Sequence, residues 1–137
     1  MGSRGSGPPG RRRPRGEGLP RNSRIRQGGE IRSLLRQGTR HRAPHLEVFS
    51  APAPEGVPRY GTIVPKYGRN VVARNRLRRR LREIGRREVL PALRERGCDA
   101  DVLVRARRLA YDASFDELRD ELHLLTERLC SSVSSSA

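Results

Sequence analysis

Apolar positions recur with a helical period in three stretches of this 137-residue chain and with strand-like spacing in three others. Over residues 30–37, Ile31, Leu34 and Leu35 share one face, and Gly38 stands where a helix stop favours glycine. Residues 45–50 read as a strand, with Leu46 and Val48 alternating against Glu47 and Phe49. Turn residues fill 51–56, and 59–64 is expected to be the second strand of a hairpin, edged by Pro58 and Pro65. From about 71 to 88 a helix is predicted, with Leu77, Leu81 and Ile84 at i, i+4 and i+7 forming a narrow core stripe. Pro91 is expected to break or kink it, and Gly97 to close the segment. Residues 101–106 make a buried strand around Val102, Leu103 and Val104. A capping box, Ser114 with Glu117, opens a last helix that carries Phe115, Leu118, Leu122, Leu125 and Leu129 down one side. The order helix, strand, strand, helix, strand, helix describes a small α+β domain.

The flanks carry a different composition. Residues 1–20 are glycine, proline, serine and arginine with almost nothing apolar, so a disordered basic arm is expected there. Residues 131–137 read as a frayed tail, which leaves 21–130 as the folded unit.

Charge changes the picture of the central helix. The chain has a formal charge of +15, unevenly placed. Residues 1–42 hold 12 arginines against Glu17 and Glu30, net +10, and residues 66–97 hold 12 basic against 3 acidic side chains, net +9. Residues 43–65 and 98–137 come to −1 and −3. The core stripe Leu77, Leu81, Ile84 turns Asn75, Arg79, Arg82 and Arg86 to the opposite side of the helix. Unpaired cations one turn apart repel one another, and a polyanion removes that repulsion while releasing counterions. Arginine outnumbers lysine 29 to 1, which suits forked contacts to RNA phosphates and equally suits a GC-rich genome.

Other chemistry is thin. Cys98 and Cys130 stand apart with no zinc spacing and read as free structural thiols. His41 and His45 flank Pro44, which argues against a helical metal pair, and with His123 they read as surface or loop histidines. Asp112, Asp116, Glu117, Asp120 and Glu121 sit around a helix start, where carboxylates complement the macrodipole. There is no nucleotide fingerprint and no Ser/His/Asp set, so the protein alone is not expected to be a nuclease. No apolar run spans a bilayer and no signal-peptide core follows the basic start, so a cytoplasmic protein without a membrane partner is expected.

The run from Lys66-Tyr67-Gly68-Arg69-Asn70-Val71-Val72-Ala73 into Arg74-Asn75-Arg76-Leu77-Arg78-Arg79-Arg80-Leu81-Arg82-Glu83 resembles the signature of the bacterial ribonuclease P protein component. That family carries an R-N-R-x-[KR]-R-x-x-R-[EQ] helix after a strand ending in V-S-K-K. Its D-x-V-V-x-A strand is matched by Asp101-Val102-Leu103-Val104-Arg105-Ala106, and its A-S-F-x-E-L helix start by Ala113-Ser114-Phe115-Asp116-Glu117-Leu118.

The resemblance implies a four-stranded sheet with three helices, order αβββαβα, and a left-handed crossover through the arginine helix. It also implies the protein subunit of an endoribonuclease that removes 5′ leaders from precursor tRNA, with catalysis by an RNA subunit. Partners would be that RNA, one protein per RNA, and precursor tRNA; no cofactor is held by the protein alone, and Mg2+ comes with the RNA. Carried over, Lys66, Arg69, Arg74, Asn75, Arg76, Arg78, Arg79, Arg82 and Arg86 would contact RNA. A leader cleft would draw on Ile31, Leu35, Phe49, Tyr60 and Tyr67. The family's first helix carries two phenylalanines at the places of Ile31 and Leu35 here, and its V-S-K-K serine and second lysine are Pro65 and Tyr67. The competing readings are a small ribosomal protein bound to rRNA, a protein-only nuclease and a DNA-compacting protein.

Overall fold

The computed structural model describes residues 24–25 and 28–136, with side chains through Ser131. The arm expected over residues 1–20 lies outside the described residues. Helix α1 (Gly28–Gln37) leads into strands β1 (Thr39–Arg42), β2 (Leu46–Pro52) and β3 (Arg59–Ile63). Helix α2 (Val71–Ile84), a π-helical turn (Gly85–Val89) and α3 (Leu90–Glu95) then form one helical path to β4 (Ala100–Ala106). A short 3₁₀ turn (Arg108–Asp112) precedes α4 (Phe115–Ser136).

The sheet order is β1-β2-β4-β3. β2 pairs antiparallel with β1 and with β4, whereas β3 runs parallel to β4. This corrects the expected hairpin: β2 and β3 are not neighbours, because β4 lies between them. Burial explains the choice. Ala100 to Val104 are buried without interruption, which suits an interior strand, while β3 holds partly exposed Arg59, Thr62 and Ile63. The real hairpin is β1–β2. Its first strand, Thr39-Arg40-His41-Arg42, supplies the fourth strand that the residue pattern did not display.

Alternation sorts the two faces. Leu46, Val48, Tyr60, Val102, Val104 and Ala106 join Leu77, Leu81 and Ile84 of α2 and Leu118, Leu122, Leu125 and Leu129 of α4 in the main core. Each such leucine contributes about 1.5–3 kcal/mol by burial. Phe115 lies three residues before Leu118, hence about 60° round the helix, and is 36% exposed rather than part of the stripe. The other face is smaller: Phe49 and Leu103 meet Ile25 and Leu34, with Ile31, Leu35, Ala51 and Ile63 packed at the margin.

Helix ends follow the local chemistry. Asn70 Oδ1 accepts from the Ala73 N–H at 2.8 Å and caps α2. Ser114 and Glu117 close the anticipated box reciprocally, at 2.8 and 3.1 Å. α4 runs to Ser136, so its last residues fall within the stretch expected as a frayed tail. Pro91 does not break the path. It has no N–H and its ring would crowd the carbonyl four residues back; the chain widens one turn earlier, where the Leu90 N–H reaches the Gly85 carbonyl. Gly97, at φ 64°, then ends α3, with Cys98 and Gly97 N–H groups donating to Leu93 and Arg94. Cys98 and Cys130 are buried free thiols, and burial with the adjoining Cys130 pushes the Cys98 thiol up to about 12. Such a thiol is inert.

Candidate nucleic-acid interface

α2 is fixed from within. Leu77, Leu81 and Ile84 are at most 3% exposed, and Tyr60 beneath them is fully buried, its hydroxyl donating to the Leu81 carbonyl at 2.7 Å. Burial pushes the Tyr60 phenol far up, so it stays neutral. This corrects the placement of Tyr60 in a leader cleft: it holds the arginine helix to the sheet and presents nothing to solvent. Gly85 makes the close approach possible, since a Cβ there would lie 2.2 Å from the Tyr60 ring.

With that face buried, the arginines divide by partner. Arg76, Arg78, Arg79, Arg80 and Arg82 have no carboxylate partner among the described residues, and Asn75, Arg76, Arg79 and Arg82 are exposed. Arg74 instead sends Nε to the Val64 carbonyl at 2.8 Å, tying the helix start to the end of β3. Arg86 is forked onto Glu83 at 3.1 Å, and Arg87 also reaches Glu83. Arg86 therefore contributes less free charge than Arg79 and Arg82, with which it lines a shallow concavity of about 370 Å³.

The loop before α2 is built tightly. Tyr67 and Gly68 both adopt positive φ, 49° and 80°. For a tyrosine this backbone costs about 1–2 kcal/mol. Its hydroxyl bonds the Ala106 carbonyl at 3.2 Å and its ring meets Tyr111 edge-on at 6.4 Å, which holds the conformation. Tyr111 donates to the Pro65 carbonyl at 2.6 Å. Arg108 stacks on Tyr67 and Arg69 on Tyr111, both at 5.0 Å, while Arg69 also pairs with Asp112 at 3.1 Å. Lys66 is exposed beside this box. Tyr67 thus belongs to the base of α2, apart from Ile31, Leu35 and Phe49.

Those three do come together, on the sheet face that α1 partly covers. Phe49 is only 3% exposed: it packs against Ile25, Leu34 and Leu103, and the Arg105 guanidinium lies 5.2 Å over its ring. α1 is stapled there by Arg59, which forks onto Asp101 at 2.8 and 2.7 Å and reaches Glu30 at 3.0 Å.

Three side chains were missed by reasoning from sequence. Arg40 and Arg42 on β1 and Arg105 on β4 surround Glu47, and strand pairing, which no local pattern reveals, brings them together. Burial pushes the Glu47 carboxyl up, yet the hydrogen bonds and charges of Arg105 and Arg42 outweigh it and leave it below its ordinary value. Glu121 is more than a macrodipole partner. It accepts from the His45 and Leu46 N–H groups at 2.9 and 2.8 Å and lies 2.8 Å from His45 Nδ1, fastening the β1–β2 turn to α4. Burial and the Arg128 charge hold His41 below the usual histidine range. Among the described residues no three His, Cys, Asp or Glu side chains gather as a metal site, and no helix is long and apolar enough to cross a membrane.

The family model for ribonuclease P matches residues 19–130. The ribonuclease P protein component of Pseudarthrobacter chlorophenolicus is 35% identical over 104 residues, covering 75% of this chain and 74% of that one. That of Acidothermus cellulolyticus is 37% identical over 118 residues, covering 81% and 91%. Among solved structures, the ribonuclease P protein of Thermotoga maritima superposes with a TM-score of 0.64 at 26% identity, covering 77% of this chain and 96% of that one. The Staphylococcus aureus protein gives 0.66 at 21%, covering 78% and 94%, and so shares the fold. An arginine helix locked to a mixed four-stranded sheet, a family match over most of the chain and relatives above one-third identity agree: the chain belongs to the ribonuclease P protein component family.

Proposed function

We propose that this protein is the RNA-binding subunit of a ribonuclease P ribonucleoprotein in the cytoplasm, one protein to one catalytic RNA. α2 docks on the RNA subunit through Asn75, Arg76, Arg78, Arg79 and Arg82, with Arg80 beside them and with Lys66, Arg69 and Arg74 continuing the contact at the helix base. The 5′ leader of precursor tRNA lies along the sheet face beside α1, over Ile31, Leu35 and Phe49. The RNA performs the cleavage with Mg2+ ions that it holds, and the protein supplies position and charge. The observation that carries this reading is a helix whose apolar face is fully locked while five of its arginines have neither a carboxylate nor a carbonyl partner among the described residues. Such a face gains affinity from a polyanion by counterion release, and bringing two RNAs together without it would set phosphate against phosphate.

The test is reconstitution with a bacterial ribonuclease P RNA at low magnesium, following 5′ processing of a precursor tRNA. The protein should stimulate processing well above RNA alone. Absence of stimulation would refute the proposal, and cleavage by protein without RNA would overturn the assignment of catalysis to the RNA.

A further inference from the structure

The sheet face beside α1 holds a charge imbalance that packing does not explain. Opposite residues of an antiparallel pair point the same way, and Arg40 faces Phe49 while Arg42 faces Glu47. Arg105 sits across from Glu47 on the other side. Three guanidiniums therefore converge on one carboxylate whose side chain is 6% exposed. Arg105 gives Nε and Nη2 to Glu47 at 3.0 and 2.8 Å, Arg42 gives Nε at 3.1 Å, and Arg40 approaches to 3.7 Å.

Three arginines carry roughly fifteen N–H donors, and a carboxylate offers about four acceptor sites. Glu47 engages three of those donors, and among the described residues Arg40 and Arg42 have no other acceptor. Their side chains are 50% and 55% exposed. A purely structural pair would need one arginine. Two further cations on an edge strand, set about 6.6 Å apart by the strand repeat, form a short cationic rail along the edge of this sheet face.

The same face lacks the means to stack bases. Ile31 and Leu35 are aliphatic, and the one ring present, Phe49, lies under Arg105. We infer that Arg40, Arg42 and Arg105, oriented by Glu47, form a phosphodiester-binding cluster that holds the single-stranded leader by its backbone and by guanidinium stacking rather than on aromatic rings. The inference rests on the proposed leader-binding role of this face. It makes leader recognition blind to base sequence and steeply dependent on salt.

The experiment uses the reconstituted holoenzyme with the full-length chain, and precursor tRNA with and without its 5′ leader. Arg40→Gln with Arg42→Gln should weaken binding of the leader-bearing substrate at least several-fold and lower its salt slope by about 1.4, at roughly 0.7 for each single-strand phosphate that is no longer neutralised. Binding of leaderless tRNA should stay unchanged. Arg40→Lys with Arg42→Lys, which keeps the charge, should retain the slope even if the glutamine pair folds poorly. Equal losses on both substrates, undiminished leader binding by the glutamine pair, or loss of slope in the lysine pair would overturn the inference. If wild-type holoenzyme itself does not distinguish the two substrates, the leader-binding role fails along with it. If wild type distinguishes them and the glutamine pair does so equally, only the cluster assignment fails.

Discussion

Gly85→Ala tests the joint that presents the arginine helix. A Cβ at Gly85 would lie 2.2, 2.4 and 2.5 Å from Cε2, Cζ and Cδ2 of Tyr60, against the 3.4 Å at which ordinary contact begins, a shortfall of 1.2 Å at the worst atom. A flexible side-chain tip could yield that distance. Tyr60 cannot, because its ring is fully buried and its hydroxyl is held by the Leu81 carbonyl. Either the helix recedes from the sheet or the phenol leaves its partner. Overpacking costs about 1–3 kcal/mol, and an orphaned buried hydroxyl about as much again, so a loss of roughly 2–6 kcal/mol is expected. That is a large share of the ~5–15 kcal/mol that stabilises a typical domain. Urea denaturation followed by far-UV circular dichroism measures it. The effect should be specific to the ring, so Tyr60→Leu in the same chain should reduce the cost of Gly85→Ala by at least about 1 kcal/mol in a double-mutant cycle. Gly29→Ala, on α1 with nothing within 4 Å of the added carbon, serves as the control and should be neutral or slightly stabilising. An unchanged midpoint for Gly85→Ala, or strictly additive behaviour with Tyr60→Leu, would refute the argument that this contact sets the helix position.

Two further outcomes follow from the charges. Arg79→Ala with Arg82→Ala removes two exposed cations with no carboxylate partner among the described residues; affinity for the RNA subunit should fall, and the slope of log affinity against log salt should shrink by about two, as read by filter binding across a salt series. The pH dependence of stability should carry a contribution from Glu47. Its carboxyl lies below the ordinary value of 4.5 in the folded protein, so this contribution is present in full above that pH and lost as pH falls through the folded value. Glu47→Gln should therefore melt below wild type at neutral pH, with the two melting curves converging in acid; parallel curves would show that Glu47 is not coupled to its arginines.

The two faces of the arginine run were legible because it lies on one helix, where spacing alone separates the buried Leu77, Leu81 and Ile84 from the outward Arg79 and Arg82. The capping box at Ser114 and Glu117 was legible for the same reason. β1 was not, because an edge strand bearing Arg40 and Arg42 shows no apolar alternation and is defined by its pairing to β2. The expected hairpin failed similarly, since no local feature of β3 reveals that a strand formed some forty residues later will take the place beside β2.

Tyr60 marks the limit most clearly. As an aromatic in a basic chain it was a fair candidate for stacking on RNA, and only the packing of Gly85 against its ring placed it in the core. The amino-acid sequence by itself determined the class of fold, the inner and outer faces of α2 and the polyanion partner, because these depend on periodicity and on charge within one element. The tertiary structure decided which arginines are engaged by Val64, Asp112 or Glu83, and it assembled Arg40, Arg42 and Arg105 around Glu47 from three strands. Pairing of charges depends on distances between segments far apart in the chain, and only the folded sheet sets those distances.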